Sequence, residues 1–168
     1  MDASAISQII FLIILLIFSA FFSSAETALT TVNKIRMRTL ADDGNKRAER
    51  VLRITDDSHK MLSAILIGNN IVNLSASSLA TTLAIKLWGS VGAGIATGIL
   101  TFLSLVFGEI SPKTFATLYA DQISIAYSGI IGFLMKILTP VIFLVNQFSM
   151  GFLFLLHVDP KANNNQMT

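Results

Sequence analysis

Three stretches of this chain are almost free of charge, and each is long enough to cross a lipid bilayer. Between Ala3 and Val32 the only charged residue is Glu26, while Met61–Ile85 and Leu87–Gly108 carry none. A spanning helix needs about 20 mostly apolar residues. In hydrocarbon it must also bond every backbone N–H and C=O within itself. Only 13% of the 168 residues are charged, roughly half the usual fraction of a soluble domain. The pattern predicts an all-α membrane protein with three transmembrane helices, over residues 5–30, 61–86 and 90–111. The first segment is expected to be a retained helix and not a signal peptide, since Asp2 stands where a basic n-region belongs and the apolar run is too long for an h-region. With no cysteine, disulfides, thiolate metal sites and cysteine nucleophiles are excluded.

The charges that do occur set the topology. Of twelve Lys and Arg residues, eight fall between Lys34 and Lys60, whereas only Lys86 flanks the link around Trp88-Gly89-Ser90. Short loops rich in Lys and Arg stay in the cytoplasm, so the N-terminus is expected outside and the basic loop inside. Within that loop Lys34–Asp43 and Asn45–Thr55 read as two short helices broken at Gly44. Asp56-Asp57-Ser58 then offers a cap for the next helix. A positive-inside anchor on anionic lipid is the simple reading of the loop; a gating contact with a cytoplasmic partner is the other.

A fourth apolar region, residues 122–156, contains Lys136 and Pro140. Pro140 breaks or kinks a helix, and a lysine deep in the bilayer costs about 3 kcal/mol on insertion scales. Two helical pieces lying in the inner leaflet as a juxtamembrane belt avoid that cost, which leaves the C-terminus cytoplasmic. A true fourth span over Ile137–Leu156 is the alternative. Residues 1–156 thus form one transmembrane domain, and the polar tail 157–168 reads as a linker cut short.

Each of the three spans carries polar residues that lipid would exclude. Ser19 and Ser23 are four apart and share a helix face, as do Asn69 and Asn73 within Gly68-Asn69-Asn70-Ile71-Val72-Asn73. The third span holds Glu109 in Phe107-Gly108-Glu109-Ile110-Ser111-Pro112-Lys113. Pro112 has no amide hydrogen and frees a carbonyl about four residues upstream, near Gly108; a loosened helix can aim such carbonyls at an ion. Hydroxyls, amide and backbone carbonyls and one carboxylate are ligands for a hard cation, Mg²⁺ or Ca²⁺, and poor ones for zinc or copper. Structural roles compete with this. Serine pairs in membrane helices commonly serve packing or interhelical hydrogen bonds, the asparagines fit either role, and Glu109 has an ion pair with Lys113 as its structural alternative. Glu26 reads as a helix-end or interface carboxylate. Gly94 and Gly98 form a small-xxx-small pair, which most simply means close helix packing. No nucleophile–base constellation is present, and His59 and His157 lie outside the spans, so an enzyme is not expected.

Three segments in order carry a resemblance: Phe22-Ser23-Ser24-Ala25-Glu26-Thr27-Ala28-Leu29, Gly68-Asn69-Asn70-Ile71-Val72-Asn73 and Gly108-Glu109-Ile110-Ser111-Pro112-Lys113. Together the chain resembles the transmembrane domain of the CorC/CNNM (cyclin M) magnesium transporter family. The resemblance implies a homodimer in the plasma membrane, with a dehydrated Mg²⁺ near the midplane of each protomer in a cavity open to the cytoplasm. Carried over by motif, the ligands would be Ser23, Asn69, Asn73 and Glu109, with Ser19 and the Gly108 carbonyl joining them. It also implies a following pair of ATP-binding CBS domains, which this sequence lacks. The expected function is a Mg²⁺ exporter core with Na⁺ as a candidate coupling ion. A non-transporting Mg²⁺ sensor or scaffold, and a transporter of Co²⁺ or Na⁺, are the alternatives.

Overall fold

The computed structural model describes residues 2–158, and among these the regular structure is entirely helical. The linker expected over 157–168 lies outside the described residues from 159 onward. Among the described residues three single helices are long and apolar enough to cross a membrane, α1 (Ala3–Thr31), α4 (Ser58–Trp88) and a third running Ser90–Leu118, and a bent pair over 120–155 is so only when taken together. All three extend past the bounds read from charge alone, the third by seven residues beyond Ser111. Pro112 and Lys113 are carried inside that helix, because a proline is tolerated in the first turn of the α-helical segment that restarts at Ser111.

Between α1 and α4 stand two short helices, α2 (Lys34–Asp42) and α3 (Lys46–Asp56). Their ends are written in side chains. Asn33 accepts from the Arg36 amide at 3.0 Å, and Asn45 accepts from Arg47 and Ala48 at 3.0 and 3.2 Å. Each satisfies amides that the first helical turn leaves free. Gly44, at φ +90°, turns the chain between the two helices. The Asp57 carboxylate accepts from the Lys60 amide at 3.4 Å where α4 begins.

α4 and the third span are joined through Gly89 alone, at φ +72°. A side chain there would be strained, so this one-residue reversal depends on glycine. The third span is α5 (Ser90–Leu103), a seven-residue π-helix (Ser104–Ile110) and α6 (Ser111–Leu118).

α7 (Ala120–Ile137) and α8 (Thr139–Leu155) cover the region expected to be a belt, bent by 66° with respect to each other. Pro140 sits in the first turn of α8, where its missing amide costs nothing. Asp121, at the start of α7, accepts from the Asn33 amide at 3.0 Å and pairs with Arg36 at 3.3 Å. α7 is thereby tied to the joint between α1 and α2.

The main core lies at that basic end of the molecule. Phe22, Ala25 and Leu29 of α1 pack with Met37, Ala48, Val51 and Ile54 of the short pair, Met61 and Ile65 of α4, and Ile131 and Met135 of α7. Away from it the spans turn large apolar side chains outward, as lipid solvation requires: Ile17 is 63% exposed and Phe102 66%. Among the described residues the Gly94/Gly98 pair packs against no other helix. Nothing lies within 4 Å of a Cβ built on either glycine, so that face is open.

Candidate functional site

α1 and α4 run antiparallel, and three contacts fix their register. Lys86 donates to Ser4 Oγ at 2.6 Å near one end, Ser19 donates to Asn73 Oδ1 at 2.9 Å in the middle, and the Phe22 ring covers Gly68 beyond it. A Cβ on Gly68 would fall 2.5 Å from Phe22 Cζ, so glycine is what admits the ring. Four residues advance a helix by about 6 Å. Ser23 on α1 and Asn69 on α4 are therefore each displaced one turn from the Ser19–Asn73 pair, in the same direction, toward the basic end.

The third span meets the other two at the same place. A Cβ on Gly108 would stand 3.1 Å from Ser19 Oγ and 3.6 Å from Ser104 Oγ, so only the bare glycine lets this helix approach Ser19 so closely. Gly108 is buried and lies within the π-helix, next to Glu109. In that register the Ser111 amide bonds to the Val106 carbonyl, five residues back. Pro112 cannot donate to the Gly108 carbonyl in an α register, and a π turn shifts the phase of the helix at that point. Such widened turns recur at functional sites.

Ser19, Asn73 and Gly108 are thus brought together, each from a different span. Ser23 and Asn69 lie one turn away, and both present a buried oxygen, Ser23 Oγ and Asn69 Oδ1, with no hydrogen-bond partner among the described residues. A buried polar atom without a partner costs about 1–3 kcal/mol, so two on facing helices call for a water or an ion. Glu109 is half-buried and makes no ion pair among the described residues. Its expected alternative partner is engaged elsewhere: Lys113 Nζ lies 3.6 Å from Glu26, tying the basic end of α1 to α6. The pairing of Glu109 with Lys113 is accordingly replaced by Glu26–Lys113, and Glu26 keeps the interface role read from its position.

The polar residues nearby separate into used and unused. Ser24 spends its hydroxyl on the Phe21 carbonyl at 2.9 Å, and Asn70 is exposed. Ser104 is the residue that sequence reasoning passed over. It stands four residues before Gly108 on the same span, and that spacing was the available signal. No three His, Asp or Glu side chains cluster among the described residues. The donors on these three spans are hydroxyl, carboxamide and backbone oxygens, with the Glu109 carboxylate following Gly108 in the chain, and that set suits a hard cation.

A family model described as the cyclin M transmembrane N-terminal domain matches residues 10–168. The chain belongs to this family. It is 45% identical over 150 residues to a UPF0053 protein of Haemophilus influenzae, covering 89% of this chain and 36% of that protein. It is 41% identical over 128 residues to the UPF0053 inner membrane protein YfjD of Escherichia coli, covering 76% of this chain and 30% of YfjD. A chloroplastic DUF21 domain-containing protein of Arabidopsis thaliana is 37% identical over 156 residues, 92% of this chain and 24% of the plant protein. The chain spans about a third of the length of the two bacterial relatives. Within the cyclin M domain the polar constellation draws on all three spans.

Proposed function

We propose that this cyclin M domain is the ion-conducting core of a Mg²⁺ transporter. The cargo would be held between the three spans by Ser23, Asn69, Asn73 and Glu109, with Ser19 and the Gly108 carbonyl completing the shell. The observation that carries this reading is the pair of unpartnered buried oxygens on Ser23 and Asn69, beside the Ser19–Asn73 bond and the π turn. Amide and hydroxyl oxygens replace water that Mg²⁺ gives up reluctantly, and Glu109 contributes the one negative charge. A single carboxylate leaves the divalent charge partly uncompensated, which keeps binding weak enough for release. On this reading the domain works as a homodimer in the plasma membrane, basic loop and C-terminus in the cytoplasm, and exports Mg²⁺ with Na⁺ as coupling ion.

The test is thermal stability of the purified domain against Mg²⁺, Ca²⁺, Mn²⁺ and Na⁺, alongside flux in sealed vesicles. A ligand that binds only the folded state raises its melting point by mass action. Stabilisation by Mg²⁺ together with Mg²⁺ flux supports the proposal. Stabilisation without flux would make the site a sensor, and stabilisation by Na⁺ alone would assign another cargo.

A further inference from the structure

The basic end of the molecule holds a groove that the ion site does not use. It lies between α3, the start of α4 and α7, and four cations line it: Arg50 and Arg53 of α3, Lys60 of α4 and Lys136 of α7. Asp57, whose carboxylate caps α4, lies among them, and Arg53 also pairs at 3.6 Å with Glu49 of its own helix, outside the groove lining. Positive charge remains in excess. Arg50 is seated rather than free. Its Nη1 lies 3.0 Å from where a Cβ on Gly129 would stand, so the guanidinium rests against the bare backbone of α7. The rest of the wall is apolar, with Ile54 and Met135 beneath and Phe133 62% exposed.

We propose that this groove binds the headgroup of an anionic phospholipid. Planar guanidinium groups match phosphate oxygens with paired donors, and lysines add point charge. Cationic side chains at the membrane surface attract acidic lipids, and basic pockets between helices hold their headgroups. An acidic peptide would satisfy the cations but not the exposed Phe133 beside them, whereas a phospholipid offers acyl chain to one and phosphate to the other. Lys60 of the groove stands in the first turn of α4, so with α4 spanning the bilayer the groove would lie at headgroup depth. Its occupant would hold α3 against α7, the two elements whose contact closes the basic end. This inference concerns a different ligand and does not depend on the Mg²⁺ reading.

The probe is dioleoylphosphatidylglycerol added to the purified domain in neutral detergent, with retained lipid counted by native mass spectrometry. Dioleoylphosphatidylcholine, inorganic phosphate and a poly-glutamate peptide are run in parallel. The acidic lipid is expected to raise the melting point by about 5 °C or more, and the other three by little. Arg50→Gln with Lys136→Gln should cut that rise to roughly a third or less, while Lys34→Gln with Arg38→Gln, equal in charge but outside the groove lining, should leave it largely intact. If the groove variant fails to fold, Arg53→Gln with Lys60→Gln removes the other two cations of the groove and should cut the rise in the same way. Equal losses in the groove variants and the Lys34/Arg38 variant overturn the proposal, as does a full rise in the second groove pair. A rise with phosphate or poly-glutamate that matches the lipid's overturns it too.

Discussion

Ser19 of the first span donates to the carboxamide oxygen of Asn73 on the second at 2.9 Å, and the same hydroxyl stands 3.1 Å from the Cβ position of Gly108 on the third. One small polar side chain is thus the point at which three membrane helices meet. Hydrogen bonding holds the first two, and the lack of a side chain at Gly108 admits the last. A double-mutant cycle between Ser19→Ala and Asn73→Ala, read by unfolding in detergent, should return a coupling of about 0.5–1.5 kcal/mol. A value near zero would mean that the pair does not join the helices.

The Gly94/Gly98 face is open among the described residues, which makes it one candidate surface for the proposed homodimer. Gly98→Leu adds bulk where nothing of the same chain lies within 4 Å. It should therefore leave the melting point within about 2 °C while shifting the population from dimer to monomer, read by light scattering in mild detergent. An unchanged dimer would move the seam to another face.

α7 and α8 meet at a 66° bend, with Lys136 just before it and Pro140 just after. If the pair lies along the inner leaflet, a cysteine placed at Ser149 should react with a membrane-impermeant reagent only from the side that carries the basic helices. Reaction from the opposite side would make the bent pair a fourth span.

Much of this architecture was legible because the bilayer enforces coarse rules. The long uncharged runs before residue 111 mark the three spans, and Asn45 and Asp57 announce the helix starts that they cap. Other features resist sequence reasoning for physical reasons. Lys113 is four residues from Glu109, but a π turn changes the angular phase between neighbouring residues. The simple helical pairing gives way to Glu26, 87 residues earlier on another helix. A glycine pair looks the same in sequence whether it packs within a chain or faces outward, so Gly94/Gly98 needed three dimensions. The Ser19–Asn73 bond followed from no spacing rule, since it depends on the register of two antiparallel spans. That register emerges from the Phe22 ring seated on Gly68.

The central claim, that Glu109, Asn69 and Asn73 hold Mg²⁺ with Ser23, is tested most directly by Glu109→Gln. The substitution keeps the shape of the side chain and removes its charge. Mg²⁺ affinity by calorimetry should fall at least tenfold, about 1.4 kcal/mol, with flux in liposomes lost and the melting point of the ion-free protein little changed. Glu26→Gln is the control, because Glu26 serves a half-exposed ion pair with Lys113. Such pairs contribute about 0–1 kcal/mol, so binding there should stay within about twofold. Loss of both binding and flux in Glu109→Gln, in a protein that still elutes as a dimer, is the predicted result. A Glu109→Gln protein that binds and transports Mg²⁺ like the parent would contradict the account.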